Sequence, residues 1–501
     1  MNRSLPLVAL LLWGPTNLFA QKRPDLKKLD AYIADAVVEF DQPGLAVGIV
    51  KDGALVWSNG YGRLDLARPE PVTANTIFYC ASISKAFTAC AVGLLVDEGK
   101  LQWTDLVREH MPEFATPLPF VTDQFMVKDL LCHRSGWDTF DGDLLWYGTD
   151  YDQREILARH AHEPMTLPFR DTFGYSNLMY IAAAQLIERV SGMTWDRFIT
   201  TRIFAPLGME RSLVETADLA HMTNVALPHV RKGQNPDAPQ KSMPYQPLRG
   251  ADGACGVLST VNDLARWDAM WADEGKVNGK PFLSEASYNT ITTSHLAMGH
   301  EGAALGWFTE QRHGETVITH SGGMPGFILN HAVVPDRDLA VIALGNGESY
   351  SVFAITNKIL DLYLGDGKAD PVADMLPRLA RRKEQEQERV AARAQARVPG
   401  TTPTAQADQL KGTYADKVYG RATITVEAGT PRLTFDPAKD LFTGALTHWH
   451  YDTWKWEHAD PFLEPGYITF QFDTDHRITG FKVDLHSPDF HFHKLDFKTL
   501  P

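Results

Sequence analysis

From Ser82 to Val96 the chain is apolar on every side, and Lys85 is the single charged side chain in that stretch. A helix that is apolar all round has to be buried, and Gly99 supplies its stop. An ammonium group inside such a helix costs free energy unless it is paired or its pKa falls. The rest of the fold must therefore close around this segment and provide for the lysine. The material is sufficient: the chain has 501 residues, 44% of them hydrophobic, enough for one large domain and a smaller one. Ser82 sits one helical turn before Lys85 on the same face. It also lies at the helix start, where backbone N–H groups point outward and the dipole favours negative charge. A serine beside a desolvated lysine is a route to an activated nucleophile. The plainer alternative is a serine cap with a lysine reaching to the surface.

The surrounding pattern predicts an α+β architecture. Leu26, Leu29, Tyr32, Ile33, Ala36, Val37 and Phe40 recur at helical spacing. Leu45–Val50 and Ala54–Ser58 read as strands around the turn Lys51-Asp52-Gly53. Helices and loops fill residues 76–300. Strands return at Thr316–His320, Ile328–Val334 and Leu339–Leu344, with a helix over Val352–Leu364. Such an order closes one antiparallel sheet from both ends of the segment, with helices on it and a helical region beside it. Arg378–Arg397 is charged and poor in large apolar residues, and reads as a helical linker or solvated stalk. Beyond Leu410, short alternating segments at Ala422–Val426, Arg432–Phe435, Tyr467–Phe472, Ile478–Asp484 and Phe490–Leu495 predict a small all-β barrel or sandwich with its own core. The expected layout is a leader over 1–20, a main domain over 21–375, a linker over 376–405 and a β domain over 406–501. On that layout, a chain ended near Pro399 should keep its chemistry.

Two further groupings stand out. Tyr175-Ser176-Asn177 opens an apolar helix and offers a phenol and an amide to one cavity, or else a cap and a packing ring. His320-Ser321-Gly322-Gly323 ends a strand, where glycines let a ligand approach backbone N–H groups or simply make a turn with Pro325-Gly326. The segment Trp137–Asp152 carries Trp137, Phe140, Trp146, Tyr147 and Tyr151 among aspartates, and reads either as a cleft wall or as a solvated loop. There is no GxSxG elbow, HExxH, P-loop or dinucleotide glycine fingerprint.

In their order, Ser-x-x-Lys, Tyr-x-Asn and His-x-Gly resemble the serine β-lactamase-like hydrolases: class C β-lactamases, D-aminopeptidases, family-VIII-type esterases and penicillin-binding proteins. Leu130–Gly136, Arg202–Met209, Gly256–Thr260 and His320–Phe327 add to the likeness, which covers about residues 25–365. The tail with His448–Trp454 looks like the lipocalin-like β domain appended to some of these hydrolases. The resemblance implies an acyl-enzyme on Ser82, with Lys85 and Tyr175 sharing general-base duty. It implies that Asn177 binds the substrate amide or steadies Lys85, that His320, Gly322 and Gly323 bind substrate, and that the N–H groups of Ser82 and Gly323 form an oxyanion hole. Typical β-lactamases carry Lys-Thr-Gly or Lys-Ser-Gly where this chain has His320-Ser-Gly, and the class A pattern Glu-x-x-Leu-Asn is absent. Histidine near pH 7 is mostly neutral, which favours peptides, amides (including D-configured ones) or short esters over β-lactams. A true class C-type β-lactamase and a penicillin- or peptidoglycan-binding sensor without turnover are the alternatives.

Composition narrows the partners. A net charge of −14 disfavours nucleic acid. Arg3, the apolar run Leu5–Trp13 and Ala20 read as a secretory leader, so the expectation is an exported, periplasmic or secreted protein with no membrane span after cleavage. Cys80, Cys90, Cys132 and Cys255 form no CxxC pair and read as buried free thiols. His448, His450, His458, His486, His491 and His493 lack carboxylate or cysteine partners at ligand spacing. No metal and no cofactor is expected, and the oligomeric state is left open.

Overall fold

The computed structural model describes residues 24–214, 219, 221–246 and 250–500. The predicted leader lies outside them. Helix α1 (Leu26–Glu39) starts at Asp25, whose side chain accepts from Lys28 N, and buries Leu29, Ile33 and Ala36. Strands β1 (Gly44–Lys51) and β2 (Ala54–Gly62) form a hairpin whose turn residues Asp52 and Gly53 both have positive φ, 53° and 73°, as a tight primed turn requires. Six more strands follow: β3 (Leu296–Met298), β4 (Glu301–Ala303), β5 (Phe308–Arg312), β6 (Glu315–Met324), β7 (Phe327–Val334) and β8 (Leu339–Gly345). They make one antiparallel sheet of order β2-β1-β8-β7-β6-β5-β4-β3. The sheet is closed from both ends of the segment, since Leu45 pairs with Gly345 and Lys51 with Leu339.

The alternation of β1 divides the core. Leu45, Val47 and Ile49 join Val341 and Ala343 under α1 and α5 (Ser351–Leu364). Ala46, Ile342 and Leu344 face the helical region between the two halves of the sheet. There α2 (Ser84–Asp97) is buried at every position from Ser84 to Leu95. Helix α3 (Leu178–Ser191) packs on it, and α4 (Val261–Ala272) packs against the sheet and meets α2 where Trp267 stacks on Phe87 at 3.8 Å. Each large side chain so enclosed contributes roughly 1.5–3 kcal/mol. Gly48 allows α4 its close approach, because a Cβ there would lie 2.5 Å from Val261 Cγ1.

The charged stretch expected as a linker is part of helix α6 (Pro371–Gln395). Beyond it stand β9 (Gly412–Asp416), β10 (Gly420–Glu427), β11 (Thr430–Phe435), β12 (Thr443–His450), β13 (Thr453–Glu457), β14 (Gly466–Phe472), β15 (Ile478–Asp484) and β16 (Asp496–Thr499). They close into an eight-stranded barrel in chain order. Two expectations are corrected. Phe490–Leu495 is a loop with a 3-10 turn, and β16 after it closes the barrel. Its buried Phe490, Phe492 and Leu495 imitate strand alternation but serve packing. Nor is the barrel's core separate: one apolar cluster runs from the helical region into the barrel. Phe490 meets Tyr147 and Trp146 at ring-centroid distances of 4.0 and 6.0 Å. The Tyr147 hydroxyl donates to Asp460 at 2.9 Å, and that of Tyr151 to Tyr419 O at 3.0 Å. Helix α6 also touches the barrel, with Arg389 paired to Glu464 at 2.8 Å. The segment Trp137–Asp152 is therefore neither a solvated loop nor merely a cleft wall; it is the surface on which the barrel docks.

Candidate active site

The chain reaches Ser82 through a short ladder, Phe78 with Ser259 and Tyr79 with Leu258, extended by Cys80 N donating to Val257 O at 2.9 Å. Ala81 then takes a left-handed conformation, φ 47°, which an L side chain rarely adopts. The strain sits next to Ser82 and is held by buried neighbours on both sides. A 3-10 turn, Ala81–Ile83, leads into α2. Between Thr76 and Leu95 only Ser82 reaches solvent.

Lys85, wholly buried, donates to Ser82 Oγ at 3.0 Å, Asn177 Oδ1 at 2.7 Å and Ala254 O at 2.9 Å. The surface-reaching alternative is thereby excluded. Burial pushes its pKa from 10.5 down to about 8, against the pull of Cys255 and Asp143. Ala254 is held in place from α2 itself, where Ser84 Oγ accepts from Val257 N at 2.9 Å and Thr88 Oγ1 donates to Gly253 O at 2.7 Å.

Asn177 stands at the start of α3, and its main-chain carbonyl accepts the first helical bonds. Ser176 Oγ faces Met179 N at 3.4 Å, so the Asn177 amide makes no side-chain cap. That amide accepts from Lys85 and donates through Nδ2 to Asp143 Oδ2 at 2.7 Å. Asp143 is buried, and burial raises its pKa to about 7 although Trp146, Asn177 and Lys85 oppose the rise. Tyr175 places its ring 5.0 Å from Lys85 Nζ. Burial pushes its phenol far above the ordinary range, and hydrogen bonding with Ser82 only partly offsets this.

The glycines of the third motif lie within β6, not after it; the turn comes at Pro325-Gly326. Strand β6 pairs with β5 only as far as Thr319, while its other edge pairs with β7 through Met324. The edge from His320 to Met324 thus has no strand partner among the described residues, and it runs past the Ser82 turn. Gly322 allows this approach, since a Cβ there would sit 2.4 Å from Cys80 O; Gly323 opens on free space. His320 is only 2% exposed and lies beside the Tyr175 ring, 6.3 Å between centroids. Its Nδ1 lies 2.6 Å from Ser321 O, and its ring packs on Phe308 at 5.2 Å. Burial and the neighbouring Lys85 push its pKa down to about 3.

Contacts link Ser82, Lys85, Asn177, Tyr175 and His320, and Gly322 abuts Cys80 beside them, with Gly323 next along the open edge. Three participants were not singled out. His133, with φ 55°, accepts from Ser176 N at 3.1 Å and stacks on Tyr175 at 4.2 Å. Asp143 and the Ala254 carbonyl complete the surroundings of Lys85. His133 belongs to the Leu130–Gly136 stretch and Asp143 to the aspartate-rich loop, so each carried a signal, but no spacing rule joins them to Lys85. His491 and His493 lie 5.3 Å apart between ring centroids, but the C-terminal histidines make no set within common ligand reach among the described residues; His448, His458 and His491 bond to Tyr451 O, Glu464 O and Asp141. Asp105, Glu109 and His110 lie within ligand reach of one another, but each is engaged in local capping bonds or with its neighbour. All four cysteines are buried free thiols, and burial pushes Cys132 and Cys255 up to about 12. No described helix is long and apolar enough to cross a membrane.

Comparison with known proteins places this geometry in context. The family model described as Beta-lactamase matches residues 29–365, and a domain of unknown function, DUF3471, matches residues 396–499. The unguisins hydrolase ungD' of Aspergillus campestris is 30% identical over 66% of this chain and 63% of its own length. Penicillin-binding protein 4* of Bacillus subtilis is 28% identical over 59% of this chain and 66% of its own. The chain thus spans a little under two thirds of the length of these curated relatives. Among solved structures, the octameric penicillin-binding protein homologue from Pyrococcus abyssi superposes with a TM-score of 0.63 at 22% identity, over 95% of this chain and 100% of that one.

Proposed function

Because this chain belongs to the β-lactamase and penicillin-binding-protein-like serine hydrolase family, we propose that it is a hydrolase working through an acyl-enzyme on Ser82. The observation that carries the reading is the bond from fully buried Lys85 to the one solvent-reaching residue of its segment. With Lys85 near 8, a usable fraction of the amine is neutral at pH 7 and takes the Ser82 proton as Oγ attacks a carbonyl. The oxyanion forms against the N–H groups of Ser82 and Gly323; a donor of this kind typically contributes roughly 3–4 kcal/mol to lowering the barrier. Tyr175 stays protonated, so it is not a base in the resting state; its hydroxyl passes the proton from Lys85 to the leaving group. Water then attacks the acyl carbon as Lys85 takes its proton; the bond from Ser82 Oγ to the acyl carbon breaks, and Lys85 returns that proton to Ser82 Oγ. Asn177 keeps the amine aimed at Ser82.

The favoured substrates are amides or peptides, including those with D-configured groups, and short esters. Two features support this choice over β-lactams. The third motif offers a buried, neutral His320 where a carboxylate of a penicillin would need a cation. The unpaired β6 edge suits an extended amide. Export is part of the proposal, resting on the leader-like N-terminus. The test is mass spectrometry of the intact protein against esters, D- and L-peptides and β-lactams, with digestion to map the adduct. A transient acyl group on Ser82 is the expected result. An adduct on another residue refutes the mechanism, and a permanent adduct without turnover reassigns the protein as a sensor.

A further inference from the structure

We propose that the barrel belongs to the catalytic unit, with Lys494 and His491 acting as positioning residues for Lys85 through Asp141; this rests on Lys85 being the base. Asp141 has no exposed side-chain surface. Its Oδ1 receives His491 Nδ1 at 2.9 Å and Lys494 Nζ, both from the barrel, while its Oδ2 accepts from Asp138 N at 3.0 Å in its own turn. Lys494 also approaches Glu163 at 3.7 Å. The turn so anchored carries the site. Phe140 N donates to Tyr175 O at 2.8 Å, Asp143 N to Phe140 O at 3.1 Å, and Asp143 holds the Asn177 amide that orients Lys85. Hydrogen bonds therefore run from the barrel's last loop to Ser82, interrupted only by the short backbone between Asp141 and Asp143.

The physical argument is the cost of an orphaned carboxylate. With Lys494 Nζ and the His491 ring removed, Asp141 loses both barrel partners of its Oδ1 and cannot remain charged and buried without a large penalty. It must take up a proton or swing outward, and either response alters the turn. There is room for the movement: a cavity of about 270 Å³ lies between turn and barrel, lined by Gly142, Asp143, Glu163, Tyr419 and Lys494. On the opposite side the turn is tightly fitted, since a Cβ on Gly142, φ 84°, would sit 2.6 Å from His160 Nδ1. A displacement of about an ångström at a reacting group costs on the order of 10²-fold in rate. A partial displacement passed on through Asn177 should cost about tenfold.

The experiment uses the full chain carrying Lys494→Ala with His491→Ala, and separately Lys494→Arg. Each is assayed with p-nitrophenyl acetate, by melting temperature, and by amide hydrogen exchange over residues 138–147. The expected result for the double variant is kcat lowered about tenfold, KM within about twofold of wild type and faster exchange in the turn, with Lys494→Arg close to wild type. If the double variant does not fold, Lys494→Gln is read in the same way. Unchanged kcat with an intact melting transition overturns the proposal, as does a change in KM alone. Should wild type form no adduct on Ser82, the proposed mechanism falls; unchanged exchange over 138–147 would independently remove the clamp.

Discussion

Lys85→Met is the most informative perturbation. In wild type the folded pKa lies at about 8 against 10.5 for the free side chain. At pH 7 about a tenth of molecules hold the neutral amine, so kcat/KM for a small ester should rise with pH along a limb centred near 8. The same shift has a sign in stability. Between 8 and 10.5 the unfolded chain binds more protons than the folded one, so stability rises with pH across that window. From pH 7 to about pH 9.5 the lysine alone should add about 2 kcal/mol, because the buried ammonium gives up its proton and with it the desolvation penalty. Lys85→Met has no such group. Subtracting its urea-unfolding free energy from that of wild type at each pH cancels the other titrations and isolates this term. Activity should vanish while stability at pH 7 changes little, since the removed charge penalty is offset by leaving Asn177 Oδ1 and Ala254 O without their donor. A stability difference that is flat across pH, or an activity limb near 6 or near 10, would refute the assignment of Lys85 as a desolvated base.

Ser82→Ala should abolish turnover and adduct formation with an unchanged melting temperature, because Ser82 is the one partly exposed residue of its segment. Tyr175→Phe should lower kcat by about 10²-fold without moving the acid limb, since its phenol remains protonated throughout the working range; a limb that shifts with it would restore shared base duty. His320→Lys should lower the urea midpoint markedly rather than improve carboxylate binding, because it buries a second ammonium near Lys85. Penicillin hydrolysis should be much slower than turnover of activated short esters, and fast cephalosporin turnover would reverse the order of substrates.

The legible part of this molecule is what periodicity and charge burial can express. Lys85 declares itself because an ammonium in an apolar helix has few solutions, and Ser82 follows by helical spacing. Strands β1, β7 and β8 are largely apolar, with Asn330 and His331 interrupting only β7, and were readable to within a residue or two. His133 and Asp143 were not readable as site residues, because their roles depend on long-range contacts that no local pattern encodes. The burial of His320 was not readable either: a motif fixes order along the chain, not how closely Phe308 and Tyr175 close around a side chain of β6. Arg378–Arg397 looked like a mere spacer since its charges are visible and its partners, such as Glu464, are remote. The docking of the barrel is hidden for a similar reason, as Trp146, Tyr147 and Phe490 are individually ordinary aromatics and become an interface only when paired.

The half-paired strand β6 has a consequence for coexistence with other chains. An open strand edge is a template for unwanted association with any exposed β segment. Here the open portion is Ser321-Gly322-Gly323-Met324 after a buried histidine, short, glycine-rich and pressed against the Cys80–Ala81 backbone. Such a sequence is a poor nucleus for aggregation, since glycine gives a neighbouring strand no side chain to pack on. It retains its backbone donors and acceptors all the same. A guest of three or four residues lying flat along that edge would use them. An edge of this kind selects for the thinness of what it admits, and any insertion of bulk at Gly323 should close the cleft to peptides well before it destabilises the sheet.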